Sequence, residues 1–167
     1  MQQTAEVIAG GPKASSHVVV LHVEDDRVFR VMFNKMMLSM AEDVEVIEAG
    51  GVLEAINILG MRPDIDVVIL DHFLPIFSAR DVRDYAKKLG KKVMYLTGGT
   101  TEEVLEDDPE ATQILKKSGP HADLKQAMSK MLDEVKSIPT MARKTHSVSF
   151  LDNFMRGIGT KKEEDVT

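Results

Sequence analysis

VVILDHFLP, residues 67–75, runs four apolar residues into one aspartate, Asp71, and reaches a proline four places later. A short, continuous, β-branched run of this kind reads as a strand buried on both faces. A carboxylate at the end of such a strand needs a reason, because a charge beside a core is costly unless something pairs with it. The neighbouring segments supply one.

HVVVLHV (17–23) is a second run of the same type, and it stops at Glu24, Asp25 and Asp26. KVMYLT (92–97) is a third and ends at Thr97, just before Gly98-Gly99. QILKK (113–117) is shorter, reads as an edge strand, and ends on Lys116 and Lys117. VEVIEA (44–49) alternates apolar and polar residues, as an edge strand with one solvated face does. Helical periods lie between these runs. Phe29, Met32, Phe33, Met36 and Met37 fall on one helix face, and a methionine stripe of this kind reads as core. Val52, Ala55, Ile56 and Leu59 form the inner face of a second helix. ARDVRDYAKKL (79–89) is a third, stopped by Gly90. TTEEVLEDDPEA (100–111) is acidic and weakly periodic, a short helix and loop. Leu124, Ala127, Met128, Met131, Leu132 and Val135 give the last helix its inner face.

Five strands alternating with helices predict an α/β fold, a parallel sheet with helices on both faces. In such sheets ligands bind beyond the carboxyl ends of the strands. Those ends carry Glu24, Asp25, Asp71, Thr97 and the Lys116-Lys117 pair. Any one of them alone reads as a turn residue or helix cap. Together, each at the end of its strand, they form a set. Three close carboxylates repel one another unless a cation joins them, and all-oxygen ligands at a wet rim suit Mg²⁺. A lysine and a hydroxyl beside them suit the oxygens of a phosphoryl group, and the carboxylate of Asp71 suits attack on phosphorus.

At 167 residues, 43% of them hydrophobic, the chain can bury one domain's core and leave tails. The net charge of −6 and the lack of a basic stripe speak against nucleic acid as a partner. No cysteine is present, which excludes disulfides and thiolate chemistry and agrees with a reducing cytoplasm. No apolar run approaches a membrane span, and no signal peptide is evident.

VVVLHVEDD, VVILDHFLP, VMYLTGG and ILKKSGPHADL give the chain a resemblance to the receiver domain of two-component response regulators, the CheY-like family, over about residues 17–136. The resemblance implies a flavodoxin-like, doubly wound, five-stranded parallel sheet of order 2-1-3-4-5. It implies Asp71 as phosphoacceptor, with Mg²⁺ held by Asp25, Asp71, the backbone carbonyl of Phe73 and, mostly through water, Glu24. Thr97 resembles the switch hydroxyl. Lys117 resembles the family lysine and is preferred to Lys116 because Leu124, seven residues on, then matches the family leucine.

The chain departs from the pattern at several places, among them a Thr97–Lys117 segment shorter and more acidic than common. Ser118 follows the lysine where a cis proline is usual, so the loop either holds a costly non-proline cis bond or takes another path. Ile114 stands where the switch aromatic is usual, and Ala79 where a glycine is usual. Phe73, with Gly99 opposite, is expected to shield an acyl phosphate on one side and slow its hydrolysis. By strand alternation His72 is expected to point away from Asp71, toward a helix layer or solvent.

Residues 1–16 read as a flexible tail. Residues 137–167 read as a linker with a small basic cluster, a short amphipathic stretch and a charged end. In the amphipathic stretch Leu151, Phe154, Met155 and Ile158 fall at helical spacing, suited equally to packing on their own domain or to docking a partner.

The expected function is a single-domain, cytoplasmic response regulator, a monomer or weak homodimer. It receives phosphoryl groups from a histidine kinase or phosphotransfer protein and signals to a downstream protein. It is no enzyme beyond catalysing its own phosphorylation and dephosphorylation. The alternative is a pseudo-receiver, an interaction module whose switching does not depend on phosphorylation. A phosphatase with Asp71 as nucleophile ranks last, since Phe73 stands where such enzymes carry a second aspartate.

Overall fold

A computed structural model describes residues 17–138. The two tails, with Leu151, Phe154, Met155 and Ile158, lie outside the described residues. The elements alternate along the chain: β1 (Val18–Val23), α1 (Arg27–Met40), β2 (Val44–Ala49), α2 (Val52–Met61), β3 (Val67–Asp71), α3 (Ala79–Lys88), β4 (Lys92–Thr97), α4 (Thr101–Asp107), β5 (Ile114–Lys116) and α5 (His121–Ser137). All strand pairs are parallel and the sheet order is β2-β1-β3-β4-β5, as the resemblance implies. The order reverses direction between β1 and β3, the kind of crevice where open α/β sheets place their sites.

Side-chain alternation along the strands splits the core into two layers. Val19, Leu21, Val23, Val68, Leu70 and Tyr95 face α2, α3 and α4, meeting Ala55, Leu59, Val82, Ala86 and Val104. Val18, Val20, Val67, Ile69, Met94 and Leu96 face the other way, onto Phe33 and Met37 of α1 and Leu124, Met128, Met131 and Leu132 of α5. Strands β1 and β3 are buried along their whole length, as their unbroken apolar runs predict.

Helix starts are written into the loops at the site's end of the sheet. Asp26 caps α1, its carboxylate accepting the N–H groups of Val28 and Phe29 at 2.8 and 3.1 Å. Ser78 caps α3, and Thr100 with Glu103 forms a capping box on α4. Gly90, at φ 68°, ends α3 in the left-handed conformation that glycine adopts freely.

The face of α1 differs from the sequence expectation. Phe33, Met36 and Met37 are buried, but Met32 is 42% exposed and lies beside Val28 and Val31 on an open stripe. Asn34 takes a place in the buried arc instead. Its side chain is buried and bonded to His22, with the His22 Nδ1 to Asn34 Oδ1 distance 2.7 Å. A buried arc that includes Asn34 is rotated about the helix axis, and Met32 falls beyond its far edge.

Candidate functional site

The acidic triplet after β1 divides its labour. Asp26 turns back to cap α1, Asp25 is exposed at the rim, and Glu24 is fully buried. Glu24 is fixed from several sides. Its Oε1 accepts the Asp26 N–H at 3.2 Å, and its backbone carbonyl accepts the Arg30 guanidinium. Arg30 in turn reaches Glu48 on β2 at 3.1 Å.

Asp71 ends β3, buried, and both of its oxygens are engaged. Oδ1 accepts the N–H of Phe73 at 3.1 Å, and Oδ2 accepts from Lys117 Nζ at 2.7 Å. The same ammonium lies 2.6 Å from Glu24 Oε2 and 4.9 Å from the centre of the Phe29 ring. Lys117 therefore bridges the ends of β1 and β3 from the loop after β5, over an aromatic face. Burial raises the Glu24 carboxyl above its ordinary value, with Lys117 opposing and the Asp71 charge adding to the rise. Burial also pulls the Lys117 ammonium down, but its hydrogen bonds to Asp71 and Glu24 outweigh this and hold it above the usual lysine value.

Oxygens of Glu24, Asp25 and Asp71 lie within 4.8 Å of one another, a set able to hold a cation. One ammonium against three carboxylates leaves the cluster short of positive charge, so a hard divalent ion fits the donor set.

Lys117 arrives without the proline that usually follows such a lysine. No peptide bond among the described residues is cis. A turn closes instead, the Gly119 N–H donating to the Lys116 carbonyl at 3.1 Å, while the Lys117 N–H bonds to the Thr97 carbonyl at 2.9 Å. Of the alternatives left by Ser118, the chain takes the other path. Lys116 is exposed.

Thr97 ends β4, fully buried, and its hydroxyl accepts the Gly99 N–H at 3.0 Å. Across from it the Phe73 ring closes the space over Gly99. A Cβ at that glycine would stand 2.7 Å from Phe73 Cε2 and would also meet the Glu103 carboxylate. His72 turns away from Asp71, as alternation predicts, and its Nε2 lies 2.9 Å from Asp107 Oδ2 at the end of α4. Ile114, which the resemblance sets where an aromatic is usual, is half-buried and pairs in register with Tyr95 of β4.

Sequence reasoning missed Phe29 and Arg30 as supports of the site, and it missed the Asp107-Asp108 cluster. The available signal for the cluster was Tyr95, the one aromatic ring in β4, whose hydroxyl needs a polar partner when buried. It also missed Ile76, a β-branched residue at φ 74° in the loop after Asp71.

No protein-family model matches the sequence, and no curated protein matches it at a significant level. Solved structures do match in three dimensions. The signal receiver domain of a putative LuxO repressor protein from Vibrio parahaemolyticus superposes with a TM-score of 0.60 and 22% identity, over 72% of this chain and 93% of that one. A CheY-like response regulator receiver domain protein from Methanospirillum hungatei JF-1 gives 0.61 and 21%, over 72% and 98%. A response regulator receiver domain protein from Clostridium thermocellum gives 0.60 and 24%, over 71% and 97%. The described residues of this chain have the fold of response regulator receiver domains, of the CheY-like type.

Proposed function

We propose that the protein is a phosphoacceptor switch, with Asp71 the residue that is phosphorylated. The observation that carries this reading is Lys117 Nζ seated between Asp71 Oδ2 and Glu24 Oε2, with Asp25 at the open side. A salt bridge built only for stability needs one carboxylate. Here two carboxylates share one lysine and a third lies within 4.8 Å of them, at the carboxyl ends of two adjacent strands, which suits a cation and a phosphoryl group.

In the proposed reaction an oxygen of the Asp71 carboxylate forms a bond to phosphorus. The phosphorus–nitrogen bond of a donor phosphohistidine breaks, and the imidazole leaves with its electron pair and takes up a proton. The donor is a histidine kinase or histidine phosphotransfer protein. Asp25, Asp71 and the backbone carbonyl of Phe73, with Glu24 mostly through a water, would hold Mg²⁺, which would supply positive charge for the phosphoryl oxygens. Lys117 orients Asp71 and offers its ammonium to one of those oxygens. Thr97 offers its hydroxyl to another. The phosphorylated protein then acts through contacts with a downstream protein.

Intact-mass spectrometry after incubation with acetyl phosphate tests this, with and without Mg²⁺. A single phosphoryl adduct that needs Mg²⁺ and is lost in Asp71→Asn is the expected result. A folded wild-type protein that gains no adduct from acetyl phosphate or from any histidine-phosphorylated donor overturns it in favour of a pseudo-receiver.

A further inference from the structure

The two residues that follow Asp71 reach opposite ends of α4. At the start of the helix the Phe73 ring closes over Gly99 beside Glu103. At its end His72 Nε2 donates to the Asp107 carboxylate at 2.9 Å, and its ring meets Tyr95 edge-on with centroids 6.2 Å apart. The other ring nitrogen of His72 is buried without a hydrogen-bond partner, so the Asp107 contact sets how the ring sits.

The two ends of α4 are held differently. Asp107 also meets the Arg80 guanidinium, and its backbone carbonyl accepts from Arg83. Asp108, buried just past the helix, takes Lys87 at 2.8 Å and the Tyr95 hydroxyl at 2.9 Å. These partners come from α3, from β4 and from the loop after β3. The start of the helix is capped within itself by Thr100 and Glu103. Its link to the sheet runs through Gly98-Gly99, where the Gly99 N–H rests on the Thr97 hydroxyl.

We propose that the His72–Asp107 and Tyr95–Asp108 contacts make the C-terminal end of α4 a fixed pivot, about which phosphorylation of Asp71 swings the N-terminal end of the helix. This rests on the phosphoacceptor reading above. When the Thr97 hydroxyl turns to a phosphoryl oxygen it releases the Gly99 N–H, and two glycines let the start of α4 move. The other end stays, because moving it would part Asp107 and Asp108 from five side chains on neighbouring segments. Ile114 carries no ring to rotate, and Tyr95, its register partner, is already fixed through its hydroxyl. His72 is thus a positioning residue: it ties the segment that carries the phosphoacceptor to the pivot.

The test uses the full chain with Mg²⁺ and excess acetyl phosphate, the adduct followed by intact mass and amide exchange read residue by residue by NMR. In the wild type, phosphorylation is expected to change exchange by about tenfold at residues 98–104 and by less than about twofold at 105–108. In His72→Ala the adduct still forms, but the change spreads through 105–108. His72→Gln, which keeps an N–H for Asp107, restores the wild-type pattern. Tyr95→Phe, which removes only a hydroxyl, is expected to loosen the same end and serves if His72→Ala fails to fold. A uniform change along α4 in the phosphorylated wild type overturns the pivot, and so does a His72→Ala pattern identical to wild type. A wild type that forms no adduct brings down the phosphoacceptor reading and the pivot together, an outcome the mass alone tells apart.

Discussion

With Asp71 proposed as the phosphoacceptor, Phe73 is the residue expected to set the lifetime of its phosphorylated form. Its ring lies over Gly99, leaving no space there even for a Cβ, and is expected to shield one side of an acyl phosphate on Asp71. Phe73→Asn opens that side and offers an amide to water. The acyl phosphate is then expected to decay roughly tenfold faster, a barrier change of about 1.4 kcal/mol, measured as loss of the adduct after the phosphodonor is removed. An unchanged decay rate would show that the ring does not shield the site. A second residue, His22, makes stability depend on pH. Burial lowers its pKa from 6.5 to about 4, so the folded protein keeps it neutral where the unfolded chain protonates it. The unfolded state then binds more protons between those values, and stability falls as pH drops from 6.5 toward 4, by at most roughly 3 kcal/mol. Urea titrations across this range should show the slope in the wild type. His22→Leu should flatten it while lowering stability at neutral pH through the loss of Asn34's partner. An equally steep slope in His22→Leu would assign the effect to other groups.

The loop between β3 and α3 shows how an element can be held in a conformation its own residues disfavour. Ile76 lies at φ 74° and is 92% exposed, so no packing of its side chain offsets the clash of a β-branched residue in the left-handed region. The surrounding anchors impose it: the Phe73 N–H on Asp71, the Phe77 N–H on the Pro75 carbonyl at 2.9 Å, and Ser78 capping α3. Pro75 has its own backbone angle fixed, which leaves Ile76 to make the turn. Ile76→Gly is therefore expected to raise stability by about 1 kcal/mol, read as a higher urea midpoint at unchanged slope. A lower midpoint would mean that the greater freedom of glycine in the unfolded chain outweighs the relief. Helix α4 is the complementary case. Its capping box is legible as a Thr followed three residues later by Glu, while the anchoring of its far end by His72, Arg80, Arg83, Lys87 and Tyr95 joins residues far apart in sequence. Periodicity has no access to such contacts.

At the scale of the whole molecule, the strand ends gather more negative charge than Lys117 neutralises. A cation that binds only the folded state must therefore stabilise it. At a tenfold excess over its Kd, Mg²⁺ is expected to add about 1.4 kcal/mol, a Tm rise of roughly 5 °C for a domain of this size. Thermal melts with Mg²⁺ and with chelator should differ by this amount, and Asp25→Asn should remove most of the difference. Asp25 is exposed and caps no helix, so its loss leaves the fold intact. An undiminished Mg²⁺ effect in Asp25→Asn would move the cation site elsewhere.

The amino-acid sequence by itself determined the alternation of strands and helices, the burial of β1 and β3, and the carboxylates, hydroxyl and lysines at the strand ends. Apolar period and strand-end chemistry are local properties, and a doubly wound sheet brings all such ends to one rim whatever its details. Tertiary structure alone decided how Lys117 reaches Asp71 and Glu24 through a turn with no cis bond, since that depends on where the end of β5 lies relative to β1 and β3. It decided that Asn34, joined to His22, lies in the core while Met32 faces outward, because which face of α1 meets the sheet depends on how the helix packs on β1, not on the apolar period alone. It also decided that the C-terminal end of α4 is anchored by ion pairs, because ion pairs between distant segments form only once the backbone has brought them together.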